Sequence, residues 1–287
     1  MTRILFFGDV VGKPGLEILA QELPALRRLH RPDFVVVNGE NLDVTLPELG
    51  KAGMRPESLR ALLALGVDAV TGGNHSFDPP WAEEVLGHAR VVRPLNFSRH
   101  APGKGSLLLR KGGKELLVVN LAGRSALAHA GDPVEAFEGV LHGWQGAPIL
   151  VDFHSESVFE KLGFAYLFDG QVAAVLGTHT HVATQDARIL PQGTGYVSDV
   201  GMVGADGGFQ GYHPDFLVEA IRRRLPPKGL RLRPAEGPGR ISYVFLELKG
   251  PRAQGILHVS EVVDLPGGNT SAAPQEGEAQ EGQEGNV

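Results

Sequence analysis

The sequence predicts an α/β fold in which two mixed sheets pack together and are flanked by helices. Three observations carry this expectation. Short apolar runs alternate with segments of helical period early in the chain, hairpin signals appear in the middle and near the end, and several apolar runs stop abruptly in Gly, Asp, Glu, Asn or His.

Arg3–Gly8 reads as the first strand. Gly15–Leu29 follows as a helix with Leu16, Leu19, Ala20, Leu23 and Leu26 along one face, and Pro24 inside it should kink or shorten it. Phe34–Asn38 is the next strand, Pro56–Leu65 a helix with proline at a favourable first position, and Val67–Thr71 a strand. Pro80–Gly87 gives a short helix before a strand around Val91–Val92. This βαβ rhythm predicts a parallel sheet with right-handed crossovers. Gly105–Arg110 and Glu115–Asn120 then flank Lys111–Gly112–Gly113–Lys114, a hairpin turn. Ala147–Phe153 and Val172–Leu176 read as buried strands, with a helix near Ser157–Leu162 between them. Arg188–Leu190 and Gly195–Val197 form another β pair around Pro191–Gln192–Gly193. Phe216–Ile221 reads as helical, closed by Arg222–Arg223–Arg224, where cations suit the C-terminal dipole. Ser242–Leu248 and Gln254–Val259 pair across Lys249–Gly250–Pro251. Residues 1–265 are expected to form a single domain. From Pro266 on, the composition collapses into Gly, Asn, Ser, Ala, Glu and Gln, so 266–287 is expected to be a disordered tail.

The 287 residues are 42% hydrophobic and 21% charged, which permits a sizeable core. With a net charge of −6 and no basic block beyond the arginine triplet, stable nucleic-acid binding is not expected. Cysteine is absent, which excludes disulfides, zinc–thiolate sites and a cysteine nucleophile. Any metal must therefore be held by oxygen and imidazole nitrogen. No segment approaches the ~18 apolar residues of a membrane span. The N-terminal segment reads as a strand rather than a targeting segment, so the expectation is a cytoplasmic protein with no membrane partner.

Gly177–Thr178–His179–Thr180–His181 sets two histidines at i and i+2, on one side of an extended segment. Alone, such a pair serves packing or the surface more often than a metal. Asp9, Glu40 with Asn41, Asn74 and His154 stand at the ends of four further apolar runs. Gathered at the carboxyl edge of a sheet, where open α/β folds place their sites, these residues would suit two metal ions about 3.5–4 Å apart. Glu40 suits the bridge, because a carboxylate in apolar surroundings needs a partner. Each residue has a plainer reading: Asp9 as a helix cap, Asn41 as a turn residue, His154 as a core histidine. Their conjunction carries the metal reading.

Six motifs occur in order: Gly8–Asp9–Val10–Val11–Gly12, Asn38–Gly39–Glu40–Asn41, Gly73–Asn74–His75, Val151–Asp152–Phe153–His154, Gly177–Thr178–His179–Thr180–His181 and Ser198–Asp199–Val200–Gly201–Met202. Together they resemble the YmdB-like branch of the calcineurin-like metallophosphoesterases, from about Arg3 to Val259. The resemblance implies a four-layer αββα sandwich and a dinuclear centre. It implies phosphodiesterase activity on cyclic nucleotides, 2′,3′-cyclic mononucleotides included, with 3′,5′-cyclic nucleotides as further candidates. It assigns Asp9, Asn41 and His181 to one ion and Asn74, His154 and His179 to the other, with Glu40 bridging. His75 falls at the catalytic position, where a histidine's ordinary pKa of about 6.5 suits protonation of the departing ribose oxygen. The cofactors would be two divalent or trivalent ions, with iron or manganese best suited to donors without thiolate and zinc also compatible. The partner would be a small cyclic nucleotide or another phosphodiester, and a homo-oligomer is compatible with the sequence.

Two alternatives stand beside this reading: a nucleotide-binding regulator with little turnover, and a phosphomonoesterase on the same centre. The wider superfamily has Asp-x-His in the first motif and a bridging Asp. Here Val11 and Glu40 occupy those positions, and Asn41 would fill the vacated place. Leu42–Leu46, Ser76–Phe77, Ser155–Ser157 and Gly204–Gly208 depart from the branch's usual loops while sparing the ligands, which bears on substrate preference.

Overall fold

The computed structural model describes residues 1–265, so the expected tail at 266–287 lies outside the described residues. The first strands are β1 (Thr2–Val10), β2 (Phe34–Asn38), β3 (Asp43–Leu46), β4 (Lys51–Gly53), β5 (Ala69–Thr71) and β6 (Val91–Val92). The middle of the chain supplies β7 (Ser106–Lys111), β8 (Lys114–Ala122), β9 (Ile149–His154), β10 (Ala174–Thr178), β11 (Arg188–Ile189) and β12 (Gly195–Val197). The last are β13 (Met202–Ala205), β14 (Gly239–Lys249) and β15 (Arg252–Val263). Helices α1 (Gly12–His30), α2 (Pro56–Ala64), α3 (Ala82–Leu86), α4 (Pro133–Leu141), α5 (Val158–Leu167) and α6 (Pro214–Arg223) connect them.

One sheet runs β15-β14-β13-β1-β2-β5-β6 and the other β11-β12-β10-β9-β8-β7, with β3 and β4 forming a small hairpin apart. Both large sheets mix parallel and antiparallel pairs, as the sequence predicts. β1 lies antiparallel to β14 along Thr2–Phe7 and then pairs in parallel with β13 at Asp9 and Val10.

The period-two alternation of each strand sorts side chains between layers. Ile4, Phe6, Phe34 and Val36 meet Val118, Leu150, Leu176 and Val197 from the other sheet. Their neighbours Leu5, Phe7, Val35 and Val37 face Ile18 and Leu23 of α1, Leu62 of α2 and Leu86 of α3. On the far side, Val119, Leu121, Phe153 and Val175 pack on Phe137 of α4 and Phe164 of α5. Helix, sheet, sheet and helix form four layers. A strand covered on both faces must be apolar on both, which is why β1, β2 and β9 read as continuous runs. Each fully buried Leu, Val or Phe among them contributes about 1.5–3 kcal/mol.

Several expectations need correction. The first helix begins at Gly12, not Gly15, and buries Ile18 rather than Ala20, which is exposed. Pro24 does not break it, because Pro24 is exposed and the Ala20 carbonyl it leaves unpaired is on the water side. β3, β4 and β13, three or four residues each, are too short for a period to register, whereas α4, absent from the expectations above, carries Val134, Phe137, Val140 and Leu141 on one face behind an Asp132 cap. The Gly112–Gly113 turn follows its prediction: both residues take positive φ (57° and 75°), and Lys111 pairs with Lys114 across the turn. Among the described residues no helix is long and apolar enough to cross a membrane.

One ion pair lies inside the second sheet's helical cover. Lys161 of α5 donates to Asp199 Oδ2 at 2.9 Å, and the two residues are 0% and 1% exposed. Removing one partner strands a charge in the dry interior. Lys161→Met is therefore expected to cost about 3–5 kcal/mol. This should appear as a lower denaturant midpoint, whereas breaking the exposed Arg60–Glu57 pair should change stability by no more than about 1 kcal/mol. Equal effects of the two changes would contradict this account.

Candidate metal centre

The carboxyl ends of strands from both large sheets meet at one edge. β1 ends through Asp9, and β2 runs into a turn closed by Leu42 N–H to the Gly39 carbonyl (3.1 Å), which buries Glu40 and Asn41. β5 leads through Gly73 into a 3₁₀ turn, Asn74–Phe77. A β-carbon on Gly73 would collide with the Glu40 carboxylate and the His154 ring, so only glycine fits there. His154 is the last residue of β9, and the segment after β10 carries His179 and His181.

Both histidines of that segment have positive φ, 106° for His179 and 64° for His181. Such backbone costs on the order of 1–3 kcal/mol per residue and persists only where its surroundings fix it. Here they do. Lys161 Nζ donates to the Thr178 carbonyl (3.0 Å), His179 N–H donates to Asp9 Oδ2 (3.1 Å), and Thr180 N–H donates to Asp199 Oδ2 (3.0 Å). The ion pair thus grips the peptide groups on either side of His179.

His154 Nε2 lies 3.0 Å from Glu40 Oε1, 2.9 Å from Asn74 Oδ1 and 3.0 Å from His179 Nδ1. One nitrogen cannot satisfy three acceptors with a single proton. Asp9 Oδ1 is buried with no hydrogen-bond partner among the described residues, 3.8 Å from His181 Nε2 and 3.9 Å from His154 Nδ1. Asn41 Nδ2 reaches both Glu40 Oε1 (2.9 Å) and His181 Nε2 (3.2 Å), while its Oδ1 accepts from the Tyr212 hydroxyl (2.9 Å). For Asn41 to offer oxygen to a metal, its amide must make a half-turn, after which Nδ2 faces Tyr212.

Surrounding groups turn each imidazole lone pair inward. Thr178 Oγ1 donates to Asp152 Oδ1 (2.6 Å), so it accepts Nδ1–H from His154 (2.9 Å) and leaves Nε2 for the site. Asn38 Nδ2 donates to the other Asp152 oxygen (3.0 Å), and burial pushes the Asp152 carboxyl up to about 6. His181 Nδ1 donates to the Gln210 carbonyl (2.8 Å), and His179 Nε2 lies 3.3 Å from Glu156 Oε2.

Burial raises the Asp9 carboxyl against the pull of His181 and His154. Burial alone would also strip the proton from His154, but the Glu40 carboxylate, its hydrogen bond and Asp9 outweigh it and raise that imidazole to about 9. His179 falls to about 3 through burial and the neighbouring His154 charge. The centre calls for positive charge. Two buried carboxylates, carboxamide oxygens and three inward imidazoles, with no thiolate, fit divalent or trivalent metal ions.

His75 sits in the 3₁₀ turn, half-buried, with its backbone N–H on Glu40 Oε2 (3.0 Å) and its Nδ1 on Asp78 Oδ2 (2.8 Å). Asp78 Oδ1 also accepts from Lys51 Nζ (3.1 Å). Burial raises the Asp78 carboxyl, but the hydrogen bonds from His75 and Lys51 prevail and hold it below the usual range. His75 lines a cavity of about 200 Å³ with Glu40, Asn41, Asn74, His179 and His181, while Asp9 and His154 are wholly buried. All seven predicted donors and His75 are therefore brought together. Sequence reasoning missed Asp78, Tyr212 and the Thr178–Asp152 relay. Asp78, one turn after His75, left a local signal, and Asp152 and Thr178 lie inside two of the quoted motifs; Tyr212 left none.

A family model described as "YmdB-like protein" matches residues 5–259. The 2′,3′-cyclic-nucleotide 2′-phosphodiesterase of Bacillus subtilis (strain 168) is 39% identical over 249 residues, 86% of this chain and 91% of that protein. The crystal structure of a hypothetical protein from Thermus thermophilus superposes with a TM-score of 0.82 at 37% identity, covering 91% of this chain and 100% of the other. A phosphatase from Mycoplasma pneumoniae gives a TM-score of 0.82 at 28% identity, covering 92% and 95%. The matched span contains every strand end that carries a candidate donor, and the chain belongs to the YmdB-like family.

Proposed function

We propose that the protein hydrolyses nucleotide phosphodiesters, 2′,3′-cyclic mononucleotides foremost, at a two-metal centre. One observation carries the reading: Glu40, Asn74 and His179 all crowd His154 Nε2 at 2.9–3.0 Å, a convergence of lone pairs that suits a cation. Asp9, Asn41 and His181 would hold one ion and Asn74, His154 and His179 the other, with Glu40 between them. Iron or manganese suits these donors. Bound ions would neutralise phosphate charge and acidify a water.

The chain itself supplies the proton. The departing ribose oxygen must be protonated, and the donor residues have no free proton to give. His75 is held by Asp78 at Nδ1, which leaves Nε2–H as the end that can meet the leaving oxygen. The support from relatives is the activity named for the Bacillus subtilis protein.

Purified protein should contain about two transition metals per chain, and chelation should abolish turnover of 2′,3′-cyclic AMP. Glu40→Ala should be the most damaging donor change, because two cations would then face each other with no bridging charge. Full activity with at most one tightly held ion and no added metal would refute the dinuclear reading. Assays with 3′,5′-cyclic AMP and a simple monoester, run on the same metal-analysed protein, define the substrate class.

His75→Ala should keep both metals and substrate affinity while losing roughly 10²–10⁴-fold in turnover. The loss should shrink sharply for a nitrophenyl diester, whose leaving group departs without a proton. Asp78→Asn should show the same pattern with a smaller loss. Equal losses on both substrates, or loss of metal, would assign His75 a structural role.

A further inference from the structure

We infer that the nucleobase of the substrate lies in a separate groove beside the metal pocket, and that this groove takes an uncharged heterocycle rather than a second phosphate. The inference rests on the phosphodiesterase reading. At about 200 Å³, the metal pocket is smaller than the roughly 300–1,000 Å³ that houses a ligand of nucleotide size. It has room for phosphate and ribose, and the base must leave it. One side is closed by Ala52 and Leu232, both buried. On another side stand His181 and Gln210, and these two residues also line a groove of about 740 Å³. The His181 ring, held by Asn41 at Nε2 and the Gln210 carbonyl at Nδ1, stands where the two spaces adjoin.

The groove's chemistry identifies its occupant. Val182, Ala187, Ile256 and Leu257 give it apolar sides, with Val182 62% and Leu257 48% exposed. Gln185, which is exposed, adds a neutral amide, whereas the Thr184 hydroxyl is taken up by Asp186 (2.7 Å) and the Asp199 N–H (3.0 Å). Among the described lining residues the one guanidinium or ammonium group is that of Arg240, and it is already committed. Its Nε and Nη2 donate to the two Asp206 oxygens, both at 2.8 Å, and Nη1 donates to Ser260 (3.1 Å). His258 is engaged with the Val200 carbonyl (2.9 Å). A second phosphate would find no unpaired cation here, whereas a flat heterocycle finds apolar sides and neutral donors and acceptors.

The test compares kcat/KM for 2′,3′-cyclic AMP with that for 1-O-methylribose 2,3-cyclic phosphate, which lacks the base. The metal-loaded protein should favour the nucleotide by roughly tenfold or more, since remote contacts raise transition-state binding. Leu257→Trp, on β15 and not itself a proposed donor, should fill the groove and reduce that ratio at least several-fold, chiefly through KM. Adenosine should compete with the nucleotide in the parent protein and lose that competition in the variant. A 5′-phosphate added to the substrate should bring no gain. Turnover of both substrates with equal kcat/KM, a ratio unmoved by Leu257→Trp, or a marked preference for the 5′-phosphorylated substrate would overturn the groove while leaving the phosphodiesterase reading intact. Turnover of neither substrate would overturn both.

Discussion

Two carboxylates almost cut off from water, Asp9 and Glu40, set the terms for the rest of the molecule. A lone buried carboxylate carries a penalty of several kcal/mol, so a fold that buries two within one cluster must supply compensating positive charge. At 4 Å and an effective dielectric of about 20, each unit of opposite charge offers about 4 kcal/mol of attraction. Without a metal, that charge is the proton that Glu40 and Asp9 keep on His154. Asp9 Oδ1 still lacks a donor among the described residues. A pair of cations would answer both needs, and this requirement explains why strand ends from two different sheets close on one edge.

The same requirement accounts for the strained turn after β10. The expectation that His179 and His181 share one side of an extended segment needs correction: the strand ends at Thr178, and positive φ at both histidines, rather than strand alternation, aims the two rings at the site. The peptide groups freed by this bend need partners. Lys161 and Asp199 supply them. Buried ion pairs are weak evidence for stability, since apolar replacements often do as well. Here the pair has a geometric use: one member accepts Thr180 N–H and the other donates to the Thr178 carbonyl. The Ser198–Met202 motif thus contributes a brace rather than a ligand.

Much of this is legible in the sequence, for a physical reason. Strands buried on both faces are apolar throughout, so a polar residue at their end stands out sharply, and Asp9, Glu40, Asn74, His154 and His179 all stand out in this way. The face of α1 is harder to read, because its phase depends on where the helix starts. Entry at Gly12 rather than Gly15 brings Ile18 to the core and leaves Ala20 in water. Tyr212 is invisible, since its contact to Asn41 spans 171 residues and follows no local pattern. β3 and β13, four residues each, are too short for any period to register.

Where the sequence departs from its family's usual loops, the structure separates two kinds of freedom. Every departure named above lies outside the seven candidate donors. Gly204–Gly208 instead contributes Asp206 and Gly208 to the groove beside the centre. Asp206 holds the guanidinium that would otherwise make that groove cationic. On the groove proposal, a change in this loop would alter the charge met by the far end of a substrate without touching the candidate donors. Asp206→Asn is the direct probe of that separation: by freeing Arg240 it should shift preference toward a substrate with a second phosphate, while metal content stays the same.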